Sequence, residues 1–287
     1  MADHKHIFPI EKMSKVFGVS RSGYYRWLWA SPSKRARENR RYRQKILTVW
    51  TDSRKRYGSP RIHRQLRRQG ESLSRPRVAR LMRSMGIASR IRSKWVVTTQ
   101  SRHRYPVAPN LLERNFTADR IGEVLLGDIT YLPSRRGWLY LTAVMDLADR
   151  KIVGWSLSNS MKAKKTTVVA WKEARRNRSI CEGAIFHSDR GSQYACQEFG
   201  TCLSPGKVRQ SMSRKGDCWD NAPMESFFKT LKSELVLETP FEDEHHARQV
   251  LFEFIEIWYN RQRLHSALDY RTPAEMEELL QSQKPAA

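Results

Sequence analysis

The sequence predicts an α/β protein: five strands interleaved with helices, preceded by a small, all-α, strongly basic region. Three observations predict it. Before residue 89 the apolar positions fall at helical spacing, and after residue 116 they alternate or run continuously between turn residues. Charge is divided in the same way: residues 1–110 carry 28 Lys or Arg against 5 Asp or Glu, and residues 111–287 carry 25 against 24. Three carboxylates, Asp128, Asp189 and Glu225, fall on different predicted elements of the second part, with 35 residues between the last two.

A chain of 287 residues, 39% hydrophobic and 29% charged, has room for one large domain and one or two small ones. The net charge of +24 sits almost wholly in the front part, which suggests a polyanion-binding module ahead of a differently employed globular domain. A merely solvated basic surface or a ribosome-associated tail is the bland alternative; interleaved Trp and Tyr favour nucleic acid. Cys181, Cys196, Cys202 and Cys218 form no CxxC pair and have no partnering His cluster, so free thiols in a reducing compartment fit better than zinc. No signal peptide opens the chain and no apolar run approaches the roughly 20 residues that span a bilayer. A soluble, cytoplasmic protein without a membrane partner is expected.

In residues 7–30, Ile10, Met13, Val16 and Phe17 have helical spacing. Gly18-Val19-Ser20 interrupts them, and Ser20 can cap a second helix, Arg21 to Trp29. That outline fits either a helix-turn-helix presenting Arg21, Ser22, Tyr24, Tyr25 and Arg26 to DNA, or a plain hairpin with Tyr24 and Trp27 in its core. Ser31-Pro32-Ser33 breaks the chain before a basic helix over 34–56, whose sparse apolar face is Ile46, Leu47, Val49 and Trp50. Two short helices follow, Arg61 to Gln69 and Arg75 to Met85, separated by Gly70 and the capping Ser74. This three-helix unit has helix-turn-helix proportions. Arg61, Arg64, Arg67, Arg68, Arg75, Arg77, Arg80 and Arg83 are its candidates for phosphate contacts, although a solvated side chain is the default for any one of them. Residues 89–118, with Pro106 and Pro109, read as a linker.

The back part opens with Glu123 to Pro133, Trp138 to Asp146 and Lys151 to Ser158, a three-strand antiparallel meander. A helix over Ala163 to Arg178, a strand over Gly183 to His187, a helix over Ser192 to Leu203 and a strand over Val208 to Met212 come next. A Gly, Asp and Asn-rich loop then leads into a helix from about Ala222 to Leu235. This is the element order of the ribonuclease-H-like fold, which carries acidic residues on its first strand, at the end of its fourth, and on the helix after its fifth. Asp128, Asp189 and Glu225 fall at those places. The expected domains are 1–33, 34–95, a linker over 96–115, a core over 116–275 and a tail over 276–287.

Gathered carboxylates suit a hard divalent cation. Mg²⁺ takes one or two carboxylates and keeps its other positions for water and phosphate oxygens, and two such ions about 4 Å apart serve phosphoryl transfer. On the helix of Glu225, Lys229 lies at i+4 and Lys232 at i+7, so all three share a face. They form either a surface ion pair or a metal ligand with neighbours that hold DNA backbone.

The chain resembles the second-frame (OrfB) product of two-frame insertion-sequence transposases, a branch of the retroviral-integrase superfamily with the D, D-35-E signature. YGSPRI at 57–62 and RVARLMRSMGI at 77–87 are similar to that family's helix-turn-helix region. DITYLP, HSDRGSQY, SMSRKG, DNAPMESFFKTLKSE and WYNRQRLHSALDYRTP are similar to its catalytic core and tail. One departure is Leu125, where the family usually has Trp three residues before the first Asp.

The resemblance implies DNA cleavage at element ends and 3′-OH strand transfer, with Asp128, Asp189 and Glu225 binding two Mg²⁺ ions (Mn²⁺ substituting) and no covalent protein–DNA intermediate. It implies that Lys232, with Lys229 and Arg190, contacts terminal DNA, and that His187, Ser188, Arg190, Asp220 and Asn221 shape the site. His187 is either a general base or a buried structural histidine. Arg261, Arg263 and His265, after a tail helix over Glu244 to Asn260, are further DNA candidates. Implied partners are the terminal inverted repeats, target DNA, an upstream-frame product or fusion, and further copies of the chain, on the nucleoid of a bacterium. A non-catalytic DNA-binding regulator and a ribonuclease-H-type nuclease are the competing functions.

Overall fold

Apolar runs between residues 124 and 212 form β1 (Val124–Ser134), β2 (Gly137–Asp146), β3 (Ile152–Ser158), β4 (Ile185–Ser188) and β5 (Arg209–Met212), which pair into one mixed sheet of order β3-β2-β1-β4-β5. The structure is a computed structural model that describes residues 1–89, 105–203, 207–236 and 241–283. It divides into two units, Met1–Ser89 and Arg90–Ala287. Residues 90–104, which hold much of the expected linker, lie outside the described residues.

The first unit is all helical. In α1 (Ile10–Val16) and α2 (Arg21–Trp29) the cap forms as expected, Ser20 Oγ accepting from the Gly23 N–H at 3.0 Å. Met13 and Tyr24 are buried between them, whereas Trp27 is 64% exposed. Tyr24 therefore cannot face DNA, and Trp27 is not core. Helix α3 (Lys34–Asp52) stops four residues short of the expected end. Arg54 and Lys55 take positive φ there, 52° and 64°, and a helix cannot continue through them. Helix α4 (Ser59–Arg68) starts earlier than expected because Pro60 fits its first turn. With α5 (Arg75–Ser84) these helices enclose Ile46, Ile62, Leu66, Val78 and Leu81.

In the second unit β1 (Val124–Ser134), β2 (Gly137–Asp146) and β3 (Ile152–Ser158) form the antiparallel meander. Strands β4 (Ile185–Ser188) and β5 (Arg209–Met212) add parallel to β1. Helices α6 (Thr167–Asn177), α7 (Ser192–Ala195) and α8 (Gln197–Leu203) cover one face over Leu125, Val153, Trp171, Phe186, Tyr194 and Phe199. Helix α9 (Ala222–Leu231) packs on the other face through Met224, Phe227, Phe228 and Leu231.

Two expected helices are each broken. At Thr166 the backbone leaves helical geometry (φ −119°, ψ −95°), and its carbonyl accepts from Ser156 Oγ on β3 at 2.9 Å. At Cys196 the backbone is extended (ψ 152°), which separates α7 from α8. Beyond α10 (Glu244–Phe252) the helix continues as π turns over Glu253–Gln262, and α11 (Pro273–Ser282) occupies residues expected as tail. Its Thr272–Glu275 capping box is complete, Thr272 N–H donating to Glu275 Oε2 and Glu275 N–H to Thr272 Oγ1. The outer strand β3 is covered by side chains that take its backbone groups. Asn260 exchanges two 3.0 Å bonds with Ile152, and Arg248 donates to the Leu157 carbonyl at 2.8 Å.

Helix α11 is tied down by a buried charge cluster. Arg178 reaches Asp149 at 2.7 Å, Asp146 at 3.5 Å and Glu277 at 3.3 Å. Burial and the neighbouring Asp149 carboxylate push Asp146 up to about 7, against the pull of Arg178. Between its ordinary value near 3.9 and about 7 the folded chain then holds a proton that the unfolded chain does not. Stability from this group is present below that window and is lost as pH rises through it. Urea unfolding over a pH series should show a slope approaching about 1.4 kcal/mol per pH unit that is absent in Asp146→Asn.

Candidate active site

The pairing of β1 with β4 builds the site. Gly127 stands opposite Ser188 in parallel register, so the next residues, Asp128 and Asp189, are adjacent. Parallel strands lie about 4.8 Å apart and send side chains of equal register to the same face. That face also receives α9, which carries Glu225. Asn221 fixes the start of α9 by donating to the Gly127 carbonyl at 3.1 Å. The three carboxylates sense one another: burial, then the charges of Asp189 and Glu225, raise Asp128 well above the usual carboxylate range. Helix α9 turns π-helical at Lys232, and the Lys232 ammonium lies close enough to Asp128 to pull the other way. Lys232 itself is lowered by burial, with Asp128 opposing.

Local hydrogen bonds hold the two strand acids. Asp128 Oδ1 accepts from the Ile129 N–H at 2.7 Å, and Asp189 Oδ1 from the Gly191 N–H at 2.9 Å. A Cβ on Gly191 would lie 2.9 Å from that same Oδ1 and would push the carboxylate aside. Gly127 is needed behind the strand, because a Cβ there would meet Phe186 Cζ at 2.5 Å.

Residues expected to shape the site surround it. Asp220 is fully buried and accepts five hydrogen bonds: three from Arg214, one from Arg114 Nε at 2.8 Å and one from Asn110 at 3.1 Å. Arg214, outweighing burial, holds its carboxyl far below the usual range. Asn110 and Arg114 lie in the expected linker and were not among the sequence candidates; nothing local marks them, since their partner is more than 100 residues away. His187 is buried, with Nδ1 2.8 Å from Ser211 Oγ and Nε2 3.2 Å from Ser213 Oγ, and burial lowers it to about 4. It is a neutral imidazole whose two nitrogens are both engaged inside the sheet, which suits support and not general-base work. Ser188 Oγ donates to the Asp189 carbonyl at 2.9 Å. Arg190 donates to the Ser213 carbonyl at 2.6 Å.

The donor set is all carboxylate oxygen, which fits a hard divalent cation. Three like charges resist close approach, and among the described residues no three acidic, imidazole or thiolate groups form a finished cage. Mg²⁺ does not need one, since it binds through one or two carboxylates and completes its shell with water and phosphate. A separate groove of about 650 Å³ between β3, α6 and α10 is lined by none of the three carboxylates.

The chain matches known proteins along most of its length. Residues 118–218 and 206–273 each match a family described as integrase core domain, and residues 36–95 match an HTH-like domain. The insertion element IS600 uncharacterized 31 kDa protein of Shigella sonnei is 40% identical over 266 residues, covering 93% of this chain and 97% of that protein. Transposase InsF for insertion sequence IS3A of Escherichia coli (strain K12) is 37% identical over 278 residues, 96% of each chain. The chain belongs to this family of insertion-sequence transposases. The transposase is thus an enzyme of the DDE polynucleotidyl-transferase type, with an HTH-like region and DNA as its partner. Among solved structures, the catalytic core domain of BIV integrase is similar at 13% identity over 56% of this chain and 99% of that chain, with a TM-score of 0.41.

Several expected DNA contacts of the transposase need correction. Arg263 is buried, 3.1 Å from Glu234 and with its guanidinium 5.9 Å above the Tyr259 ring. His265 is buried edge-on to Tyr259. Arg77 bridges α5 to α3 through Asn39 at 2.8 Å and Glu38 at 3.1 Å. Arg263 and His265 are enclosed by the fold, and the half-buried Arg77 is committed to α3. Arg21, Arg26, Arg80, Lys229 and Arg261 are exposed. Arg64 is half-buried, and so is Arg61, which lies over the Tyr57 ring at 5.8 Å. Leu125 is fully buried in the core beneath the site. The three described cysteines, Cys181, Cys196 and Cys202, are free thiols, and no described helix is long and apolar enough to cross a membrane.

Arg263→Ala would leave Glu234 buried without its cation. Chemical denaturation should show a loss of about 3–5 kcal/mol, while the folded variant keeps the salt dependence of its DNA binding.

Proposed function

We propose that Asp128, Asp189 and Glu225 are the acidic triad that cleaves DNA at an insertion-sequence end and joins the exposed 3′-OH to another phosphodiester. The convergence of three carboxylates on one sheet face, strong enough to raise Asp128, is the observation that carries this reading. The triad would hold two Mg²⁺ ions, or Mn²⁺ in their place, and bound there they supply Lewis acidity for an in-line displacement at phosphorus. Asp128 and Asp189, fixed by backbone N–H groups, orient their oxygens from adjacent strands. Glu225 contributes from the opposing helix, held in place by Asn221. Lys232 meets the phosphate backbone of the element's end, and exposed Lys229 extends that contact. Both steps exchange one P–O bond for another: water attacks in the first, the freed 3′-OH in the second, and each releases a 3′ oxygen as its leaving group. No side chain becomes bonded to DNA. The basic first unit reads the terminal repeats, and pairing two ends requires more than one copy, with the upstream-frame product as the further partner.

A labelled duplex bearing the element's end, incubated with the protein and Mg²⁺ and run on a denaturing gel, tests the reading. Nicked and joined strands are expected with the native chain and should fall to background in Asp189→Asn and Glu225→Gln, with DNA binding retained. Cleavage that persists in Asp189→Asn sinks the assignment; binding without cutting by every form makes the chain a regulator. Lys232→Ala should lower the salt slope of end binding by about one.

A further inference from the structure

Strands β1 and β2 run on past β4, and beyond the pairing of Tyr140 with Ser158 they run on past β3 as well. Strand β4 ends at Ser188, opposite Gly127, so the β1–β2 hairpin beyond Asp128 projects from the edge of the site. Alternation gives that projection two unlike faces. Leu132 and Leu139 pair across the strands and are buried. On the other face Tyr131 stands opposite Tyr140 and Pro133 opposite Trp138. The Tyr131 ring meets Tyr140 edge-on at 5.1 Å and Trp138 at 6.3 Å, and Trp138 is 59% exposed.

Hydrogen bonds anchor the hairpin tip. The Arg135 N–H donates to the Phe241 carbonyl at 2.9 Å, Ser134 bridges to Phe241, and Ser134 Oγ donates to the Gly137 carbonyl at 2.8 Å. The Tyr131 hydroxyl sits 3.2 Å from Met161 Sδ. Residues 129–140 contain two arginines, Arg135 and Arg136, both exposed, and no acidic residue. Tyr131 lies three residues beyond Asp128 on β1, on the face that carries α6–α8 and opposite the one that receives α9, so a strand would pass from the carboxylates around the projecting hairpin to reach it. The Asp189 charge still helps to raise the Tyr131 phenol, after burial and Tyr140.

We propose that the outer face of the β1–β2 hairpin is a stacking platform for unpaired nucleotides of the DNA strand being processed. The exposed Trp138 ring, backed by half-buried Tyr131 and Tyr140, engages a base face that a duplex keeps hidden in its stack, and the arginines take the phosphates beside it. The substrate at the carboxylates is then a locally opened strand and not a continuous duplex. This rests on the reading of the triad as a centre of DNA chemistry.

The test uses full-length protein carrying Asp189→Asn, so that binding is measured without cutting. One probe is a duplex with a short single-stranded oligothymidine tail, and the other is the same duplex blunt. Trp138→Ala should weaken binding of the tailed probe about tenfold, leave the blunt probe unchanged, and keep the melting temperature, since the side chain is exposed. Trp138→Phe should restore most of the tail preference. Equal loss on both probes, or no loss on the tailed one, overturns the platform. A changed sedimentation coefficient with unchanged tail preference overturns it in favour of an interface between copies. If the Asp189-intact protein cuts nothing while Trp138 still governs tail binding, the transposition reading fails and the platform stands. If it cuts and Trp138 does not matter, the reverse holds.

Discussion

Parallel pairing of β1 with β4, in the register that sets Gly127 opposite Ser188, brings Asp128 and Asp189 side by side. A slip of one residue would turn one of the two carboxylates to the other face of the sheet. The register is held from behind by packing that tolerates no side chain at Gly127, where Phe186 and Tyr194 press against the strand. Leu125 completes that layer with no exposure at all. The hydrophobic core beneath the strands sets where these acids stand, and backbone N–H groups of Ile129 and Gly191 then orient their oxygens.

The third acid depends on a different set of interactions. Glu225 rides on a helix whose entry is clamped twice, by Asn221 on the Gly127 carbonyl and by Asp220 on Arg114, Arg214 and Asn110. Its exit is held by Glu234, buried against Arg263 and the Trp258 indole N–H. The WYN motif is thus structural: Trp258 anchors the end of this helix, Tyr259 packs edge-on at 4.8 Å from Phe227, and Asn260 covers the outer strand. The C-terminal helix adds a further tie through Glu277 to Arg178 and Lys151.

Much of this could be read from the chain because it is local. Alternation located the meander, Ser20 capped its helix, and three acidic residues at distinctive places marked the strands and helix that carry them. The unread parts are long-range. Arg263 looks like any solvated arginine until Glu234, 29 residues earlier, is folded against it. Asp220 reads as a site acid, but its partners in the supposed linker are invisible to pattern. The break at Thr166 comes from a serine on a neighbouring strand, and helical spacing continues through it. The helix at Pro273–Ser282 is different: Thr272, Pro273 and Glu275 are a local capping signal, and the first two also close the WYN…YRTP motif, which hides the start of a helix there. Trp138 fits the apolar alternation of a strand, and only the two-faced hairpin shows that it points outward.

The central claim is that these three carboxylates form one metal-binding centre. Anomalous diffraction from crystals soaked in Mn²⁺ addresses it most directly. Manganese peaks bounded by Asp128, Asp189 and Glu225 are expected, and they should be lost in crystals of Asp189→Asn. Peaks elsewhere on the molecule only, or peaks at the triad that persist unchanged in the variant, would contradict it.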